Sequence, residues 1–291
     1  MTTDDAQAVD TSENPDRAPF VRVEVHDVDN HHLRVFKPRD SGWLARVASE
    51  YRKLRTESIT PLEPLTLEGV DIVDVAGVEE MLAEAGVPTY QPGNFGVIRS
   101  DLAELLLAWI QADEYGCKYG YRSIRDRELV QLPGRGIDQI GVELAEGPGG
   151  VSIALILGEA KSSSQAASPP TVVDTSEDCL RVQHRGHLAD LDLTIDKVLN
   201  ASRHARDPEV AQSLRIVAHL LRKGDERARI VVSSLMVRPA DVFAAPTDFG
   251  SFFSSPSDYE PANVRFILVS VPGSIDEIAK ELGELAAEVL P

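Results

Sequence analysis

Gly136-Ile137-Asp138-Gln139-Ile140-Gly141 is followed, 21 residues after Asp138, by Gly158-Glu159-Ala160-Lys161. The second tetrad closes the apolar run Leu155-Ile156-Leu157, which reads as a buried strand where a charge is expensive unless it has a task. Between the two lies Ala145-Glu146-Gly147-Pro148-Gly149-Gly150, a loop of turn-forming residues. A hairpin turning between Pro148 and Gly149 sets Asp138 opposite Glu159, with Cβ atoms roughly 5 Å apart. Strand alternation puts Glu159 and Lys161 on one face and Ala160 on the other. Two carboxylates that close repel unless a cation or a shared proton intervenes. Mg²⁺ or Mn²⁺ explains the pair, with Asp138, Glu159 and the carbonyl of Ala160 as hard oxygen ligands. Lys161 beside it would position a water and stabilise developing charge, which predicts phosphodiester hydrolysis.

Working outward, Ser100 reads as the cap of a helix reaching about Ala112, with Leu102, Leu105, Leu106, Trp109 and Ile110 on an apolar stripe. Strands are expected over Tyr119 to Gln131, Ile137 to Leu144 and Val151 to Ala160. Ser176 predicts a long helix to about Ala205. Asp207-Pro208 opens another, ended by Gly224. Ala228 to Val237 and Val264 to Val271 read as strands, and Ser274 with Glu277 as the capping box of a last helix. Upstream, Phe20 to Phe36 alternates around Asp29-Asn30, a hairpin, and helices are expected over Gly42 to Leu54 and Gly77 to Ala85. Helix, three strands, helices, two strands and a helix make an α/β domain on a mixed sheet. The expected division is an acidic tail (1–18), a small N-terminal α+β subdomain (19–98) and the main domain (99–291).

Taken as a total, the charge argues against nucleic acid. The chain has 29 Lys+Arg against 47 Asp+Glu, a formal −18, where a free-standing DNA binder wants a basic surface. Half of the excess lies in residues 1–98, with 9 Lys+Arg against 18 Asp+Glu. Lys118 to Arg135 is locally basic, so Arg122, Arg125 and Arg127 are candidate phosphate contacts, beside the plain alternative of a strand with mixed charges. Two cysteines are too few for a disulfide framework, and no leader or apolar span is visible, so a cytoplasmic protein is expected. There is no Gly-x-Ser-x-Gly, Walker A or Gly-x-Gly-x-x-Gly, which removes serine-hydrolase and nucleotide-binding readings.

An acidic residue on one strand and an acid-X-Lys triplet on the next, after a helix that often supplies a glutamate, resembles the PD-(D/E)XK nuclease superfamily. Asp138 matches the first acid and Glu159-Ala160-Lys161 the triplet; Ile137 stands where the name motif has proline. Glu104 matches the helical glutamate, with Asp101 as its rival. The resemblance implies a restriction-endonuclease-like αβββαβ core over about Arg99 to Val237. Within the superfamily the chain is most similar to nuclease subunits of the Hachiman anti-phage defence system. That likeness implies DNA as substrate and a helicase subunit as partner.

Other candidates are weaker. Gln183 and His187 lie one turn apart and would face substrate; an exposed polar helix face is the alternative. A solvated face is likewise the alternative for Glu104. His31, His32 and His184 read as ordinary surface or hairpin residues, and Phe243 to Tyr259 as a loop that stacks on bases or packs onto the domain or a partner. Two other functions remain open: a non-catalytic interaction subunit on a degenerate nuclease fold, and a stand-alone restriction or repair nuclease.

Overall fold

The computed structural model describes residues 19–56, 66–67, 70–71, 81, 95–126, 136–147 and 150–288. The acidic segment 1–18, Arg127, Arg135, the Pro148-Gly149 turn and the helix expected over Gly77 to Ala85, apart from Met81, lie outside them.

The strands are β1 (Phe20–Val28), β2 (His31–Pro38), the short pair β3 (Thr66–Leu67) and β4 (Val70–Asp71), β5 (Lys118–Arg122), β6 (Gln139–Gly147), β7 (Gly150–Ser162), β8 (Ala228–Pro239) and β9 (Asn263–Val271). Seven of them form one mixed sheet in the order β1-β2-β9-β8-β7-β6-β5. The four central strands, β2, β9, β8 and β7, run parallel, and the outer ones are antiparallel. This is an α/β protein whose sheet is flanked by helices. Strands β6 and β7 pair from Gly147↔Gly150 to Gln139↔Gly158, the register expected from the hairpin. The boundary expected near residue 98 does not divide the sheet, because β2 pairs directly with β9.

Six main helices cover the two faces: α1 (Trp43–Thr56), α2 (Phe95–Tyr115), α3 (Leu180–Ala189), α4 (Leu191–His204), α5 (Pro208–Lys223) and α6 (Ile275–Ala287). On one face α1, α2 and α6 pack against Phe36, Ala160, Leu235, Val237, Ile267 and Val269. On the other, α3 to α5 pack against Leu33, Val35, Ile140, Leu157, Val232 and Met236. Burial of α2 extends well beyond its leucine stripe: Asp101, Glu104, Ala108 and Gln111 are all within 2 % of complete burial. The solvated face that was the alternative for Glu104 is therefore excluded; the helix is a core element, apolar or bonded on every side.

Local chemistry corrects several boundaries. Helix α2 starts before Ser100, which lies inside it and bonds Glu104 Oε1 at 3.3 Å. The long helix expected from Ser176 is two helices, the first preceded by Cys179. Asp190 ends that helix and caps the next, accepting from the Leu193 N–H at 2.9 Å. Strand β5 stops at Arg122 because Ser123–Asp126 turns into one helical turn. Asp126 closes that turn by accepting from the Arg122 N–H at 2.9 Å. Asp207 and Gly224 bound α5 as the sequence predicts, with Gly224 in the left-handed region at φ 65°.

Gly141, opposite Tyr119, sits where β6 leaves no room for a side chain beside β5. A Cβ there would lie 2.8 Å from Cys117 Sγ and 2.8 Å from the Lys118 carbonyl. Backbone cannot yield as a flexible side chain does, so Gly141→Ala is expected to cost about 1–3 kcal/mol. Urea denaturation should show the midpoint falling; an unchanged midpoint would mean that the strand pair opens freely.

Candidate active site

The hairpin brings the two acids together as the arithmetic predicted. The Asp138 carboxyl lies just beyond the last paired residue of β6, and its Oδ2 accepts from the Ala160 N–H at 2.8 Å. Glu159 is 1 % exposed, on the sheet face that carries α3 and α4. The two carboxyls share a hydrogen bond. Burial, followed by the charge of Glu159, pushes the Asp138 carboxyl well above the usual range. Burial likewise pushes Glu159 up to about 8, against the opposing pull of Lys161. A proton therefore resides on this pair at neutral pH when no cation is present. Asp138 as a residue keeps intermediate exposure, whereas Glu159 is closed off from solvent.

Lys161 follows Glu159 on the same face, with its Nζ 3.7 Å from the exposed Asp178 carboxylate. His187, from α3, places Nε2 2.8 Å from Glu159 Oε1. Burial pushes this imidazole down to about 4, so the contact is a hydrogen bond between neutral groups rather than an ion pair. His184 is fully buried one turn earlier, with Nε2 2.6 Å from Ser234 Oγ. Helix α3 is thus pinned to β7 and β8 by two imidazoles. That corrects the reading of His184 as a surface residue. His31 is also buried rather than exposed, bonding the Phe253 carbonyl at 2.7 Å amid Phe252, Tyr259 and Phe266. The Phe243 to Tyr259 segment accordingly packs onto the domain.

Glu104 approaches from α2 and accepts a hydrogen bond from the Ser123 hydroxyl. The Ser123 N–H in turn donates to the Asp138 carbonyl at 2.8 Å, and the Gln139 amide donates to the Glu104 carbonyl. Glu104 also adds to the repulsion felt by Glu159. Asp101, its rival, takes the Tyr51 hydroxyl instead. The helical acid tied to the site is Glu104.

The basic candidates fare differently. Arg125 leaves the set of phosphate contacts: its side chain is 6 % exposed, doubly bonded to Asp126 at 2.7 and 2.8 Å and to the Gly120 carbonyl at 2.8 Å. Arg122 lies over the Tyr119 ring, and Arg127 is outside the described residues. Gln183 is half-buried on α3, its Oε1 shut from water with no hydrogen-bond partner.

Lys197, on α4, is the basic residue that sequence reasoning missed. Its charge acts on both Glu159 and His187. It also lines a cavity of about 350 Å³ with Tyr121, Ile137, Ile140, Leu193 and Asn200. Nothing local marks it in the sequence, since only the α3–α4 turn delivers it here. Among the described residues no group of three or more His, Cys, Asp or Glu side chains is placed to hold a metal ion. A cation here would find two side-chain carboxyls among the described residues, those of Asp138 and Glu159. No protein-family model matches this chain, and no curated protein is significantly similar to it in sequence. No helix among the described residues is long and apolar enough to cross a membrane.

Proposed function

We propose that this chain is a metal-dependent DNA endonuclease that hydrolyses phosphodiester bonds, acting in the cytoplasm with a helicase partner in defence against phage. The observation that carries the hydrolytic reading is the buried, cross-strand Asp138–Glu159 pair with Lys161 on the same strand face. The donor set fits Mg²⁺ or Mn²⁺: two hard carboxyls are held where neither charge is well solvated, and the Ala160 main chain adjoins them. Two carboxylates suffice for an ion that keeps several waters and takes the rest of its shell from substrate phosphate. When bound, such an ion lowers the pKa of a water and neutralises charge on the phosphoryl oxygens. Lys161 orients the attacking water and stabilises charge on the oxygen it faces. His187 fixes the rotamer of Glu159, while Glu104, through Ser123, fixes the backbone that presents Asp138. The DNA substrate and helicase partner rest on the resemblance of the Asp138 and Glu159-Ala160-Lys161 motifs.

A second reading, a subunit that keeps the fold without turnover, is favoured by two observations. His187 already occupies a Glu159 oxygen, and no third acid completes a metal cluster among the described residues. Incubating plasmid DNA with the protein and Mg²⁺ or EDTA, with and without the helicase, separates the two. Nicking that requires Mg²⁺ and falls about 10²–10³-fold in Lys161→Ala is expected. Full nicking by that variant would sink the mechanism, and no nicking under any condition would favour the second reading.

A further inference from the structure

Helix α2 ends at Tyr115, and beyond it the sheet face over the first residues of β8 and β9 is left open. A cavity of about 220 Å³ lies there, lined by His32, Arg34, Tyr115, Arg229, Asn263 and Arg265. Three guanidinium groups and no carboxylate form the wall of this cavity, in a chain whose formal charge is −18. Two of the three are held in place from behind. Arg265 donates to both oxygens of Glu143 and to Gln111 Oε1 at 3.0 Å, and stacks 3.9 Å above the Tyr115 ring. Arg34 is bonded to Asp27 at 2.6 Å, and His32 shares the same carboxylate at 3.1 Å. The Arg229 side chain has no hydrogen bond or ion pair among the described residues and is exposed at the rim. The Tyr115 hydroxyl is shut from water and has no hydrogen-bond partner among the described residues.

Preoriented guanidinium groups and an unpaired arginine line one small volume, and Tyr115, whose hydroxyl lacks a partner among the described residues, lines it too. Planar guanidinium forks match tetrahedral oxyanions bidentately, and an unpaired buried hydroxyl gains most from an acceptor that reaches it. We propose that this cavity binds a phosphate group, either that of a free phosphate compound or a phosphodiester of single-stranded DNA. The proposal does not rest on the catalytic reading, because none of these residues belongs to the Asp138–Glu159 site.

Isothermal titration calorimetry in EDTA tests it, with pyrophosphate as the free probe and a short oligothymidylate as the nucleic acid. Saturable binding is expected, weakened about tenfold by Arg229→Gln and by Tyr115→Phe, each of which removes one donor. Both variants are conservative, and circular dichroism checks that they fold. Binding of pyrophosphate assigns the site to free phosphate compounds; binding of the oligonucleotide alone assigns it to DNA. The proposal is overturned if neither probe binds, or if the double variant binds as the unaltered chain does. It is also overturned if Glu159→Gln abolishes binding while Arg229→Gln leaves it intact, since the phosphate would then sit at the carboxylates.

Discussion

Glu159→Gln is expected to give a protein that is more stable than the original above pH 7 and inert toward DNA. The carboxyl is pushed up to about 8 by burial, from an ordinary value of 4.5. An acid held above its unfolded value binds more protons in the folded state, so it stabilises fully below about pH 4.5. That contribution fades as pH rises and is gone above pH 8. Each pH unit in the window costs about 1.4 kcal/mol, an upper bound because the Asp138 proton is shared with the same pair. Glutamine keeps the shape and the hydrogen bond to His187 but carries no titrating proton. Thermal midpoints measured from pH 5 to 9 in EDTA should therefore fall more steeply for the original chain than for the variant. Parallel slopes would show that Glu159 does not titrate in this range. If the chain is the nuclease proposed, cleavage falls by about 10²–10³-fold in the stabilised variant, which excludes unfolding as the cause.

Arg238→Met should produce the largest loss of stability. Arg238 is fully buried at the end of β8, 3.3 Å from the equally buried Asp248. Its two terminal nitrogens donate to the carbonyls of Ser163, Gln165, Ala167 and Val242 at 2.7 to 3.1 Å. One side chain thus satisfies the loop that follows β7 and the loop that follows β8. Methionine fills much of the space but strands Asp248 as an unpaired buried charge and orphans four carbonyls. Breaking a buried pair from one side costs about 3–5 kcal/mol. Chemical denaturation should lose that much, and the loop after β7, which follows Lys161, should become sensitive to protease. A midpoint within error of the original would mean that water replaces the guanidinium.

What could be read in the sequence was local or periodic. The β6–β7 register followed from turn residues and strand alternation, so Asp138, Glu159 and Lys161 were placed correctly by counting. Caps such as Asp207 and Ser274 work within a few residues, and they too were legible. Illegible were contacts made by burial. Glu104, Gln111 and Asp101 look like a solvated stripe until the sheet, α1 and α6 bury that side of α2. His184 and His187 carry no mark of the strands they touch, since Ser234 and Glu159 lie 50 and 28 positions away. Asp190 was hidden by the regular pattern around it, because a carboxylate inside a helical stretch and one that starts a new helix read alike. Local positive charge misled in the same way, as Arg125 was already committed to its neighbour Asp126.

The pairing of β2 with β9 has a consequence in time. The Asn30 amide donates to the Ala262 carbonyl, 232 positions further on, at 2.6 Å. At roughly 5–20 residues per second, a ribosome needs on the order of ten seconds to most of a minute to supply that partner. During this interval the hairpin of β1 and β2 has been made, yet Leu33 and Val35 lack their β9 neighbours Phe266 and Leu268. Such distant pairing also slows folding, because a long loop must close before it is rewarded. Strands β1 and β2 therefore leave the ribosome long before they are sealed, and nascent chains arrested before Asn263 should be the ones that engage chaperones.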